Sequence, residues 1–183
     1  MSTIVVDVGC AKHGGDESIP DLVREFGPSE LWGFDPAARD MAYMIDDTTV
    51  IESTYVAWKF DGKIGFKIAG LGGHVTSSEP AATPCIDLAR WINEMSLEPT
   101  DRLIVKLDCE GAEYDLVPHL VERDADLRID LMLIEWHCEG CGYGIWNWDD
   151  PHPDGCRADQ AEWRERRERI NAMLRCDSRG WSQ

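Results

Sequence analysis

Positive charge is scarce in this chain: 18 Lys and Arg stand against 35 Asp and Glu, a formal charge of -17 over 183 residues. Such a field repels phosphate backbones, so the balance argues against DNA or RNA as a partner. The one dense basic run, RERRER at 164–169, alternates with glutamate and reads as a solvated helix face. Long hydrophobic runs are missing too, which predicts no membrane partner. The opening MSTIVVDVG has neither a basic n-region nor a long apolar stretch, so no signal peptide is expected. No repeat recurs at solenoid spacing, and no GxGxxG run marks a nicotinamide site. The seven cysteines form an odd set, with Cys10, Cys85, Cys109 and Cys176 scattered. Reduced thiols and a cytoplasmic location are the simpler reading.

What is present suits one α/β domain across residues 1–183. Apolar residues make up 43% of the chain, enough for a real core. TIVVDV at 3–8 predicts a first strand, running into Gly9-Cys10-Ala11-Lys12-His13-Gly14-Gly15, where glycines permit a tight turn or a close backbone approach to a ligand. Ser18 as cap, Pro20 early and Asp21 three residues after the cap predict a helix that Gly27-Pro28 stops. Leu31 to Phe34 predicts a short second strand ending in Asp35-Pro36. A carboxylate there can accept hydrogen bonds from both hydroxyls of a ribose.

The middle of the chain is less regular. Ala37 to Ile45 reads as helical or irregular, Thr49 to Trp58 as a third strand, and Asp61-Gly62 as the turn of a hairpin. Gly70 to Pro84 reads as a mobile flap in which His74 is a loop histidine. Ile86 to Met95 carries apolar residues at helical spacing and predicts a crossover helix.

The chemistry gathers in the second half. LIVKLDCEGAEYD at 103–115 reads as a buried parallel strand that delivers Asp108, Glu110, Glu113 and Asp115 to its carboxyl end, where ligands collect in open α/β sheets. A helix from Ala112 to Val121 follows, with Pro118 expected to kink or end it and His119 opposite the apolar stripe. LMLIEW at 131–136 predicts a second buried strand bringing Glu135 and His137 to one face. His137 suits a general base or a metal ligand, and equally a structural hydrogen bond. Cys138 and Cys141 have zinc-ligand spacing, with His152 or Cys156 able to complete a set, but only one CxxC is present. Residues 138–157 read as an inserted loop, and a last helix is expected from Asp159.

VVDVG near the start, GFDP, PCIDL, KLDCEGAEYDLV and LIEWH together resemble the FkbM family of methyltransferases, over roughly residues 3–140 with poor matching at 37–84. The resemblance implies a Rossmann-like sheet, S-adenosylmethionine as cofactor and O-methylation of a sugar or other small-molecule hydroxyl. It implies Asp7, Gly9, Cys10 and nearby backbone as the floor beneath the cofactor's methionine part, and Asp35 on its ribose. Asp108 and Glu110 would then line the reaction side, with Glu135 and His137 near the acceptor and either Asp108 or His137 as the base. The chain departs from the family in the text after Gly9. Its tail is also too short for the antiparallel hairpin that completes such sheets, which would expose an edge and favour a homodimer or a reduced core. Two other readings stay open. One is a metal-dependent hydrolase using Asp108, Glu110, Glu135 and His137. The other is a nucleoside-binding or interaction protein without chemistry.

Overall fold

A computed structural model describes residues 1–10, 18–69, 72–77, 79–137 and 160–181. Its centre is the run TIVVDV, strand β1 (Thr3–Val8), which is mostly apolar and buried on both faces. α1 (Ser18–Phe26) returns the chain so that β2 (Glu30–Phe34) pairs parallel with β1. β3 (Ala42–Ile45) and β4 (Thr48–Ser53) extend that side, β4 parallel to β2 and β3 antiparallel at the edge. The chain then crosses to the opposite side of β1, where β10 (Arg102–Leu107), β11 (Leu131–Ile134) and β12 (Asp177–Gly180) add in parallel register. Among the described residues the sheet order is β12-β11-β10-β1-β2-β4-β3. This is a mixed α/β fold around a mostly parallel, generally Rossmann-like sheet.

Alternation along the strands divides the core into two layers. Val5 of β1 and Ile104 of β10 pack with Ile19, Leu22 and Val23 of α1. Ile4, Val6 and Val8, with Leu103, Val105 and Leu107, pack against α2 (Leu88–Glu94), α3 (Glu113–Glu122) and Ile170 of α4 (Gln160–Asn171). No helix among the described residues is long and apolar enough to cross a membrane.

Between the two halves lies a small three-stranded sheet of order β5-β9-β6, made from β5 (Val56–Trp58), β6 (Gly62–Ile64) and β9 (Thr83–Asp87). Here the structure corrects several expectations. Thr49 to Trp58 is two strands in two sheets, and Ala42–Ile45 is a strand instead of a helix. The Asp61-Gly62 hairpin does not close, because β9 inserts between β5 and β6. Asp61 is instead held by Arg90, whose Nε and Nη2 donate to its two oxygens at 2.8 and 2.7 Å. Part of the expected flap is β8 (Gly72–Val75), paired with β7 (Phe66–Ala69). α3 passes through Pro118 to Glu122, since burial of Leu116, Val117 and Leu120 outweighs the lost N–H. His119 is buried, with Nε2 2.9 Å from Asp87 Oδ1. Ser18 does not act as a free cap; it begins α1 buried, with its hydroxyl on Asp7. The tail, expected to be too short for an antiparallel hairpin, forms one parallel strand, β12, at the sheet edge. Residues 11–15, the inserted loop with Cys138, Cys141, His152 and Cys156, and Asp159 lie outside the described residues.

Candidate metal centre

The strand order reverses at β1 and β10: β2, β4 and β3 lie on one side of β1 and β10, β11 and β12 on the other. Crevices at such reversals, at the carboxyl ends of the strands, are where α/β sheets place ligands. Three backbone bonds carry the ladder just past the strand ends here. Gly9 N donates to Phe34 O at 2.9 Å, Asp108 N to Val8 O at 3.0 Å and Glu135 N to Leu107 O at 2.9 Å. Asp108 and Glu135 are thus fixed on neighbouring strand ends.

Gly9 makes the close approach feasible. Its φ is +82°, and a Cβ there would lie 1.7 Å from the carbonyl oxygen of Asp108. No side chain fits, so the two loops touch backbone to backbone.

Behind this edge lies a buried charge chain on the α1 side of the sheet. Asp7 and Lys106 are register partners on β1 and β10, both fully buried. Lys106 Nζ donates to Asp7 Oδ1 at 2.9 Å and to Asp108 Oδ2 at 3.1 Å, while Ser18 Oγ donates to Asp7 Oδ2 at 2.5 Å. Burial works against the ammonium, yet Asp7 and Asp108 hold its pKa above the ordinary lysine value. Both oxygens of Asp7 are thereby used, and Asp108 meets Lys106 through Oδ2.

The turn after β10 is built by Glu113. This fully buried carboxylate accepts from Cys109 N at 2.7 Å and Gly111 N at 2.9 Å. The turn needs left-handed backbone at two residues, Glu110 (φ 53°) and Gly111 (φ 98°). For Glu110 that conformation is strained, of the kind concentrated at functional sites. Asp108 and Glu110 therefore do not share a strand face, since β10 has ended; the turn brings them together instead.

His137, 3% exposed, faces this turn from the end of β11. Its Nδ1 lies 3.0 Å from Glu113 Oε1. Its Nε2 is 3.5 Å from Asp108 Oδ1, 3.9 Å from Glu135 Oε1 and 4.0 Å from Glu110 Oε2. Ligand atoms of Asp108, Glu135 and His137 all lie within 4.8 Å of one another. Burial alone would lower the His137 pKa, but the hydrogen bond and charge of Glu113, with Asp108 and Glu110, push it up to about 10. Burial and the neighbouring Asp108 push Glu135 up to about 7. Burial leads the Glu135 shift and neighbouring carboxylates the His137 shift, and both leave the cluster holding protons against its negative charge. A divalent cation at the common point of the three ligands would do the same work.

All four acceptor-side residues read from the sequence, Asp108, Glu110, Glu135 and His137, thus meet in space. The cofactor-side residues behave differently. Asp7 is locked by Lys106 and Ser18. Gly9 gives its space to Asp108. Cys10 is buried against Gly33, where a Cβ would meet its sulfur at 2.7 Å. Asp35 is partly exposed beyond β2 and accepts from Ala37 N at 2.7 Å, an Asx turn. Sequence reasoning gave Lys106 no role, read Ser18 only as a helix cap and read Glu113 only as one of the acids at the strand end. The lone lysine within LIVKL was the available signal, because a charge inside a buried strand requires partners. No family model, no curated protein and no solved structure matches the chain.

Proposed function

We propose that the protein is an enzyme working through a divalent cation held by Asp108, Glu135 and His137. One observation carries this reading: an imidazole and two carboxylates from adjacent strand ends converge within 4.8 Å at the reversal of the sheet. Imidazole with carboxylates suits first-row divalent cations, and three protein ligands leave coordination positions for a substrate. The net charge of -17 raises the local concentration of cations.

A bound cation supplies Lewis acidity toward an oxygen of the substrate or of water. By themselves the side chains support hydrolysis best. Glu110 stands beside the centre, 4.0 Å from His137 Nε2, as the carboxylate to take a proton from an attacking water. Lys106 holds Asp108 in place, and Glu113 holds both the turn and the imidazole.

A second reading is methyl transfer from S-adenosylmethionine to a hydroxyl of a sugar or other small molecule, and the reversal between β1 and β10 favours it. Asp35, partly exposed at the end of β2, fits a ribose diol, and the FkbM-like motifs fall on or at the ends of β1, β2, β9, β10 and β11. Asp7, Gly9 and Cys10 do not add to the fit, because the fold itself uses each of them. The cofactor, when bound, supplies an electrophilic methyl group; the chain would orient the acceptor and remove its proton. Both readings use Asp108, Glu110, Glu135 and His137; only the first places a cation among them.

Calorimetry separates them. Stoichiometric Mn2+ binding that is lost in His137→Ala supports the centre, whereas no heat at millimolar Mn2+ removes it. S-adenosylmethionine titrated into the Mn2+ form then decides the reaction class. Binding points to methyl transfer, and labelled methyl appearing on no acceptor would leave a nucleoside-binding protein. Absence of binding, with ester or amide cleavage dependent on Mn2+, points to hydrolysis.

A further inference from the structure

Histidine binds a cation through one nitrogen only when the other keeps its proton and has somewhere to donate it. In this structure the second nitrogen of His137 meets Glu113. That carboxylate already accepts from Cys109 N on Oε1 and Gly111 N on Oε2, so both of its oxygens act as acceptors. An acceptor on both sides can only receive the Nδ1–H of His137, at 3.0 Å. Nδ1 is thereby fixed as the nitrogen that donates to Glu113, and Nε2 is the one that faces Asp108, Glu110 and Glu135. Three carboxylates around Nε2 call for positive charge between them, which the retained proton supplies and which a bound cation would supply in its place.

We propose that Glu113 is the positioning residue that sets the metal preference of this centre, making it select a first-row transition cation such as Mn2+, Fe2+ or Zn2+ over Mg2+ or Ca2+. The proposal rests on the cation reading given above and adds the class of metal and the residue that determines it. His137 is the one nitrogen donor in the described cluster. Mg2+ and Ca2+ are satisfied by oxygen ligands, whereas first-row transition cations gain from imidazole. Whatever holds Nε2 in the ligating tautomer therefore holds the preference. Glu113 does this from a fully buried position at the start of α3, and the same carboxylate ties down the turn that carries Asp108 and Glu110. One group thus presents ligands from two different strand ends to a common point.

The test is a pair of affinities, for Mn2+ and for Mg2+, measured by calorimetry on the wild-type chain and on Glu113→Gln. Glutamine keeps the size and one acceptor oxygen, but its amide nitrogen must face either the Gly111 N–H or the imidazole. We expect wild-type protein to bind Mn2+ at least about tenfold more tightly than Mg2+. In Glu113→Gln, Mn2+ affinity should fall roughly 10–100-fold, as for other lost partners of metal-binding histidines. Mg2+ affinity should fall less, so the ratio narrows. A purely structural role for Glu113 would weaken both metals alike, or lower the melting temperature with the ratio unchanged; either result overturns the proposal. Should the variant not fold, 15N NMR of the Zn2+-loaded wild type gives the answer: a proton on Nδ1 of His137 upholds the proposal, and a proton on Nε2 overturns it. Wild-type protein that binds no cation would overturn the cation reading itself, an outcome distinct from wild type that binds well with a ratio indifferent to position 113.

Discussion

Lys106 lies near the carboxyl end of the parallel strand β10, where apolar side chains are expected, and it is fully buried. Its ammonium is shared between Asp7 and Asp108, so its removal would leave a buried carboxylate with Ser18 as its remaining side-chain partner. Breaking a buried ion pair from one side typically costs about 3–5 kcal/mol. Lys106→Met should therefore lose stability of about that size in urea denaturation, and adding Asp7→Asn should restore part of it because the two residues are coupled. A loss under about 1 kcal/mol would mean that the pair contributes little to the fold. Glu110 and Gly9 show the other residue-level feature, backbone held where side chains are disfavoured, on the two loops that meet at the reversal. Local strain on one side of the crevice and a forced glycine on the other both serve to bring β1 and β10 ends into contact.

At the scale of elements, Arg175 fastens the segment that leads into β12. It donates from its backbone N and Nε to Asp126 Oδ2, from Nη1 to Asp124, and from Nη2 to Val121 O. Burial pushes the Asp126 carboxyl up, but the Arg175 bonds and charge outweigh this and hold its pKa below the ordinary value. A depressed folded-state pKa adds stability above the unfolded carboxyl range and loses it as pH falls through the folded value. Arg175→Met should therefore lower the melting temperature at neutral pH, and the gap from wild type should shrink on acidification; a gap constant with pH would contradict this linkage. The elements legible in the sequence were those whose signal is local. TIVVDV, LIVKL and LMLI are continuous apolar runs, and a strand buried on both faces must look like that. β5, β6 and β9 were not legible, because each is short and their pairing is decided by contacts far along the chain. Asp61-Gly62 carries a sound local turn signal, yet the Arg90 contact and the insertion of β9 override it. The site divides in the same way. Asp108, Glu110, Glu135 and His137 were readable as strand-end residues. Lys106, Ser18 and Glu113 acquire meaning only once β1, β10 and β11 lie side by side.

For the whole molecule the dominant fact is the net charge of -17. Self-repulsion at that charge opposes compaction, and raising ionic strength from about 0.01 M to about 0.1 M shortens the screening length from about 30 Å to about 10 Å. The melting temperature should rise by a few degrees over that range in NaCl; a flat response would show that charges of opposite sign are already well interleaved. The central position of β1 also sets an order of events for a chain made from its N-terminus. Its partner on one side, β2, follows after a single helix, but Lys106 arrives 99 residues after the Asp7 it must neutralise. Until then a growing chain can complete only the half-sheet of β1, β2, β4 and β3, with one long edge of β1 bare and its acid unmatched. Such an edge is what chaperones cover and what aggregates grow from. The residues proposed as metal ligands all belong to the half that is synthesised later, so their cluster can form only when the sheet is nearly whole.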